Sequence, residues 1–240
     1  MITGLDHIVV TAKDVEAAAA AFSALLGRQA DWRGEEAWFQ LSNTALRVGR
    51  GEADAIAALA FDTDDVDAAA KLAQRRGLSG DASGFDVAGI PVRLVAPRAA
   101  FALSPASGRE SAAVAALDHV VVRTRDIDRA VANFGGRLGL DLRLDRSNPA
   151  WGARQLFFRC GDAVVEFGAS LSAPASDEPD GFGGLAWRVV DPDAARARLA
   201  DAGFDVSEVR DGRKPGTKVF TVRSGVPGAP SLMIQQGAED

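Results

Sequence analysis

Only one cysteine, Cys160, occurs in the 240 residues. An internal disulfide and any CxxC metal or redox pair are therefore excluded, and the residue reads as a small, half-buried strand side chain. Histidine is nearly as scarce, with His7 and His119 the whole supply. No apolar run approaches the roughly 18 to 20 residues of a membrane-spanning helix, so no membrane partner is expected. Positive charge is also in deficit: 27 Lys and Arg against 33 Asp and Glu leave a formal charge of -6. That balance opposes a broad phosphate-binding surface, and no nucleic-acid partner is expected. The one basic cluster, RDGRKPGTK at 210–218, contains Asp211 and two glycines and reads as a solvated hairpin loop. The opening MITGLDHIVV enters a strand-like run without the basic, apolar and small-residue regions of a secretory signal, and a cytoplasmic location is the expectation.

What the chain does have is the composition of a globular protein, 47% hydrophobic and 25% charged, arranged as a repeat. LDHIVV at 5–10 returns as LDHVVV at 117–122, so the two histidines occupy equivalent places. From each, seven residues lead to an aspartate, Asp14 or Asp126, and thirteen more to a glycine, Gly27 or Gly139. An alternating apolar strand, an Asp N-cap, an alanine-rich helix and a left-handed Gly stop account for this spacing. ALAFDTDD at 58–65 with Gly77 and GLAWRVVD at 184–191 with Gly203 share the same plan, the second with Pro192 at the first helical position.

Short strands separated by turn residues come after every helix: 36–41 and 44–49; GFDVAG and IPVRLVAP; 140–145, 153–160 and 162–168; VSEVRD, TKVFTVRS and PSLMIQQ. The pattern predicts four βαβββ units, an α+β fold. AAFALSPASGRESAAVAA, rich in Ala, Ser and Pro, reads as a linker. The expected organisation is an N-terminal domain over 1–98, a linker over 99–114 and a C-terminal domain over 115–240. A single unit cannot cover its own sheet, so units are expected to pair with their curved sheets forming a trough.

Four such units, with LDHxVV heading the odd ones, Asp caps at 14 and 126, and VVEFG at 164–168, resemble the vicinal oxygen chelate superfamily. That group includes glyoxalase I, extradiol dioxygenases, methylmalonyl-CoA epimerase and the bleomycin and fosfomycin resistance proteins. The resemblance spans nearly the whole chain outside the linker. It implies two domains with curved mixed sheets and a site in which a His from a first strand and a Glu from a last strand hold a divalent ion against two adjacent substrate oxygens.

Carried over residue by residue, His119 and Glu166 are the implied metal ligands. Strand alternation puts His119, Val121 and Arg123 on one face, and Glu166 on a face with Val164. The other positions depart from the pattern: Arg47 stands where the first unit would have its Glu, Ala58 and Gly184 stand where the even units would have a His, and Arg93 and Leu232 or their neighbours stand where they would have a Glu. Two strong ligands in the second trough and one in the first are all that can be found, with Gln155, Gln235, water, substrate or a partner chain left to fill the shell. The resemblance implies a lyase or isomerase like lactoylglutathione lyase, acting on a 2-oxo or 2-hydroxy compound, with Glu166 as catalytic base. Zn, Ni, Mn, Co and Fe are not distinguished, and no organic cofactor is expected. Arg47 and Arg93 are candidate anion binders in the first trough, Trp151 is a candidate flap residue, and Trp187 and Gln155 are candidate ligand contacts. A metal-free small-molecule binder of the antibiotic-sequestering kind is the rival reading, and extradiol ring cleavage a lesser one. Either a monomer or a homodimer is compatible.

Overall fold

The computed structural model describes residues 1–81, 83–98 and 102–237. Four βαβββ repeats are present. The first holds β1 (Ile2–Ala12), α1 (Val15–Leu26), β2 (Asp31–Arg33), β3 (Glu36–Gln40) and β4 (Ala45–Arg50); the second holds β5 (Ala55–Thr63), α2 (Val66–Arg75), β6 (Gly80–Asp81), β7 (Gly84–Val87) and β8 (Ile90–Val95). The third holds β9 (Val114–Arg123), α3 (Ile127–Ala130) continuing as a π-helix over Val131–Arg137, β10 (Asp141–Asn148), β11 (Ala153–Cys160) and β12 (Ala163–Ser170). The fourth holds β13 (Gly181–Val189), α4 (Pro192–Asp201), β14 (Arg210–Asp211), β15 (Lys218–Val222) and β16 (Ser231–Gln235).

The aspartate at each strand-to-helix junction explains why four unrelated helix sequences start alike. Asp14, Asp65, Asp126 and Asp191 each accept, through Oδ1, the backbone N–H three residues on, at 2.9, 2.9, 3.0 and 2.9 Å. A cap of this kind contributes about 1 kcal/mol. Beyond the helices, Gly27, Gly77, Gly139 and Gly203 all take positive φ, between 64° and 88°, the conformation glycine adopts without a Cβ penalty. The third helix departs from the α-helix that the spacing predicts. After one α-turn it widens through VANFGGR, where the adjacent Gly135 and Gly136 give the backbone little helical preference.

The strands form two eight-stranded mixed sheets, ordered β2-β3-β4-β1-β5-β8-β7-β6 and β10-β11-β12-β9-β13-β16-β15-β14. Each is two repeats joined at their first strands, and the fold is the α+β arrangement of two vicinal-oxygen-chelate-type domains. VSEVRD forms less strand than its pattern suggests: only Arg210 and Asp211 pair, and Val206 makes an isolated bridge to Val222.

Contacts divide the chain differently from the sheets. One unit gathers Met1–Ile8, Ala57–Ala99 and His119–Gly183; the other gathers Val9–Ile56, Ala100–Asp118 and Gly184–Asp240. In the first unit Phe134 stands 4.6 Å from Phe167 and 6.2 Å from Phe158 between ring centroids, pinning the widened helix to one face of β11 and β12. In the second, the fully buried Arg28 donates to Val114 O at 2.5 Å, Ser104 O at 2.8 Å and Glu110 Oε1 at 2.6 Å. Of the expected linker, residues 99–101 lie outside the described residues. The stretch from Ser104 to Ser107 is tied down by its backbone, since Ser104 N donates to Gln40 O and Ser107 N to Gly27 O, and Pro105 O accepts from Gln29 N.

Candidate functional site

In the third repeat, β9 runs parallel to β12, which is antiparallel to β11, which is antiparallel to β10. Strand alternation separates two faces. Val120, Val122, Val165 and Phe167 are buried under the helix, while His119, Val121 and Arg123 share the opposite, more open face with Val164, Glu166 and Gly168. Register sets this open face in rungs. Arg123, Gly168, Gln155 and Arg146 lie side by side; the next rung carries Val121, Glu166, Phe157 and Leu144; the third carries His119, Val164 and Arg159.

His119 Nε2 and Glu166 Oε2 are 3.4 Å apart, with side chains only 15% and 13% exposed. Glu166 is fixed from the other side by Gln155 Nε2, which donates to its Oε1 at 2.5 Å. The acceptor end of the same amide takes Arg146 Nη2 at 3.0 Å, and the Arg146 guanidinium lies 4.9 Å from the Trp151 ring centroid and 5.8 Å from that of Phe157. A polar chain therefore crosses the face from Arg146 through Gln155 and Glu166 to His119. Each link orients the next, because the carboxylate accepts from the amide and the amide oxygen accepts from the guanidinium. Arg146 Nε, buried, has no hydrogen-bond partner.

An imidazole nitrogen and a carboxylate oxygen bound to one small divalent ion, with bonds of about 2.1 Å meeting near the tetrahedral angle, lie about 3.4 Å apart. The His119 to Glu166 separation matches that figure. Among the described residues, no group of three His, Cys, Asp or Glu side chains converges to hold a metal. The donors fit a divalent ion as a two-residue clamp, with Gln155 steadying the carboxylate and further positions left to water or ligand.

The structure disperses the remaining sequence candidates. His7, 7% exposed, has Nδ1 2.5 Å from Asp6 Oδ2. Asp6 in turn accepts from Arg98 Nε at 2.6 Å, and its carbonyl accepts from Arg98 Nη2 at 2.8 Å. Burial pushes the Asp6 carboxyl up, but the hydrogen bonds from His7 and Arg98 outweigh it and hold the group below its ordinary range. Nearby Asp62 is pushed up to about 6, by burial first and by the Asp6 carboxylate second. Arg47 does not offer an open fork: Glu36 takes it bidentately, Nε to Oε2 at 2.8 Å with Nη2 on Oε1, and the guanidinium lies 6.0 Å from the Trp38 ring. Arg93 is exposed on β8, opposite Ala60. Trp187 is fully buried, its Nε1 donating to Ser231 Oγ at 3.1 Å, and so packs as core. Trp151 is 37% exposed, at the outer end of the polar chain.

Sequence reasoning passed over Arg146, although alternation along DLRLDR and its register partner Gln155 place it on the same open face as His119 and Glu166. It also passed over Asp62 and Arg98, which no motif marks.

Residues 118–221 match the Glyoxalase/Bleomycin resistance protein/Dioxygenase superfamily, and no curated protein matches the chain in sequence. Among solved structures, a mutant 4-hydroxymandelate synthase from Streptomyces coelicolor is 17% identical over 100% of this chain and 94% of its own, with a TM-score of 0.74. The 2,2',3-trihydroxybiphenyl 1,2-dioxygenase of Sphingomonas wittichii strain RW1 is 19% identical over 99% and 91%, with a TM-score of 0.74. The Mn(II)-bound glyoxalase from Novosphingobium aromaticivorans is 16% identical over 98% and 82%, with a TM-score of 0.73. At these identities the likeness is one of fold. No helix among the described residues is long and apolar enough to cross a membrane. The stretch 118–221 thus matches the Glyoxalase/Bleomycin resistance protein/Dioxygenase superfamily by sequence, and the whole chain shares the fold of these solved structures.

Proposed function

We propose that the protein is a cytoplasmic, glyoxalase-like lyase or isomerase that takes a small 2-oxo or 2-hydroxy compound on the open face of the third repeat. The observation that carries this reading is the His119 and Glu166 pair, 3.4 Å apart and largely shielded from water. His119 Nε2 and Glu166 Oε2 are the atoms that would hold a divalent ion, and such an ion, when bound, supplies Lewis-acid stabilisation of charge developing on two adjacent substrate oxygens. Everything else falls to the chain itself. Gln155 keeps Glu166 Oε1 occupied and so directs Oε2 toward the substrate. When it is not holding the ion, Glu166 Oε2 accepts the proton lost from the carbon beside the carbonyl, and returns it to the neighbouring carbon or oxygen. Phe157 and Val121 flank Glu166 on its rung and limit water there.

One observation favours a second reading, a metal-free small-molecule binder: no three His, Cys, Asp or Glu side chains among the described residues converge as a metal site. Metal analysis and Mn(II) titration of protein prepared without chelator, on the wild type and His119→Ala, separate the two. About one ion per chain, lost in the variant, supports the enzyme. No ion in either protein leaves the binder.

A further inference from the structure

Gly168 lies on the open face beside Glu166, and a Cβ built there meets no atom within 4 Å. The rung that crosses this gap carries Arg123 on one side and Gln155, then Arg146, on the other. Arg123 is exposed and has neither a hydrogen-bond nor an ion-pair partner among the described residues. Its stem passes the bare Gly183, whose Cβ would stand 3.3 Å from Arg123 Cγ and 2.8 Å from Val121 Cγ1. Arg146 already leans toward the gap, with Nη2 on the Gln155 amide and a buried Nε that has no partner.

Three strand spacings separate the two arginine backbones, about 14 Å, a distance that two arginines bending inward span with one anion between them. Two glycines at 168 and 183 keep that place clear. We infer that the space over Gly168 is a carboxylate subsite, so that the substrate is a short-chain 2-oxo or 2-hydroxy acid whose carboxylate is gripped by Arg123 and Arg146. Gly168 and Glu166 are two residues apart on one strand, about 6.7 Å. A carboxylate over Gly168 therefore turns the oxygen on the adjacent carbon toward Glu166 and His119. Guanidinium groups suit this task because their planar donors match the two oxygens of a carboxylate. Arg146 has a second role, since through Gln155 it also orients Glu166. Arg123 has none, which makes it the cleaner probe. The assignment rests on the reading that substrate occupies this face, but it does not depend on metal.

Dissociation constants for pyruvate and for its uncharged amide, pyruvamide, are measured on the wild type, Arg123→Gln and Gly168→Val, with Mn(II) affinity measured on the same three proteins. Arg123→Gln should weaken pyruvate by about tenfold or more, the worth of a charge-assisted hydrogen bond, while pyruvamide changes by less than about twofold. Gly168→Val, a strand-favouring residue set into open space, should weaken pyruvate to a similar degree by filling the subsite. Both variants should keep wild-type Mn(II) affinity. A wild type that binds pyruvate no better than pyruvamide overturns the subsite, as do variants that bind pyruvate unchanged, or an Arg123→Gln that weakens acid and amide alike. Loss of the metal reading has a separate signature: Mn(II) fails to bind the wild type while the preference for pyruvate persists.

Discussion

Replacing Asp62 by Asn should raise stability at neutral pH and do nothing for it in acid. Asp62 sits beside Asp6, which is already committed to His7 and Arg98, and its Oδ1 is buried without a hydrogen-bond partner. Burial and the neighbouring carboxylate lift its pKa to about 6 from the 3.8 of a free side chain. The folded chain therefore holds a proton between these two values that the unfolded chain has released. Stability falls as pH rises through that window, and above about 6 the whole cost is present. Two pH units correspond to about 3 kcal/mol at most, and because Asp62 is half-buried, solvent screening reduces this to about 1–2 kcal/mol. Asn keeps the shape, cannot ionise, and offers an N–H toward Asp6. Thermal unfolding of wild type and Asp62→Asn should show the variant melting about 2–6 °C higher at pH 7.5, with the gap closing near pH 4. A gain of the same size at every pH, or a variant less stable at pH 7.5, refutes the account of a carboxyl forced to ionise against Asp6.

Three other perturbations have expected outcomes. Gln155→Ala leaves Glu166 Oε1 and Arg146 Nη2 without their shared partner; chemical denaturation should show a loss of about 1–3 kcal/mol, with ligand affinity falling alongside. Gly27→Ala should cost more than Gly34→Ala, although both glycines have φ 64°, because a Cβ at 27 meets Arg198 Cζ at 3.0 Å and Ala113 Cα at 3.3 Å whereas at 34 it meets nothing; the strain alone is about 1 kcal/mol, and paired melting curves isolate the clash. Cys160, whose thiol burial pushes up to about 12, should not react with a thiol reagent at pH 8 until the chain unfolds.

Local signals in this sequence are strong where one residue type does one physical job. Each helix starts at an aspartate whose oxygen satisfies a backbone N–H three residues on, so counting from strand to Asp to Gly locates all four repeats. Alternation likewise assigns His119 and Glu166 to a common face once β9 and β12 are known to pair. Partnerships across a turn are not legible. Glu36 captures Arg47 because the β3 and β4 register sets Arg47 opposite Trp38, two residues along from Glu36, and no periodicity encodes that register. Gln155 is visible in sequence only as a possible stand-in ligand, whereas its amide faces carboxylate and guanidinium at once. The widened turn after Ala130 depends on how Gly135 and Gly136 yield to the packing of Phe134 against Phe158 and Phe167, a tertiary effect that the helical pattern of the segment conceals.

The two halves repeat the same motifs, yet they carry different charges at equivalent places. In the repeat alignment Asp62 and Arg188 occupy the same place. Arg188 Nε donates to Asp118 Oδ1 at 3.0 Å, so the aspartate that precedes His119 takes a cation from the repeat paired with its own. In the first half an acid stands where that arginine would be, Asp6 must draw its cation from Arg98, and its other oxygen lies 2.5 Å from His7. That histidine is bound as a structural partner before any ligand arrives. Arg47, at the position of Glu166 in the repeat, is closed by Glu36. Restoring a carboxylate with Arg47→Glu would place it next to Glu36, two like charges in a half-buried hairpin, and His7 would still be held by Asp6. A single reversal at position 47 therefore does not reproduce the arrangement of His119 and Glu166, because His7 keeps its Asp6 contact and Asp6 stays coupled to Asp62 and Arg98.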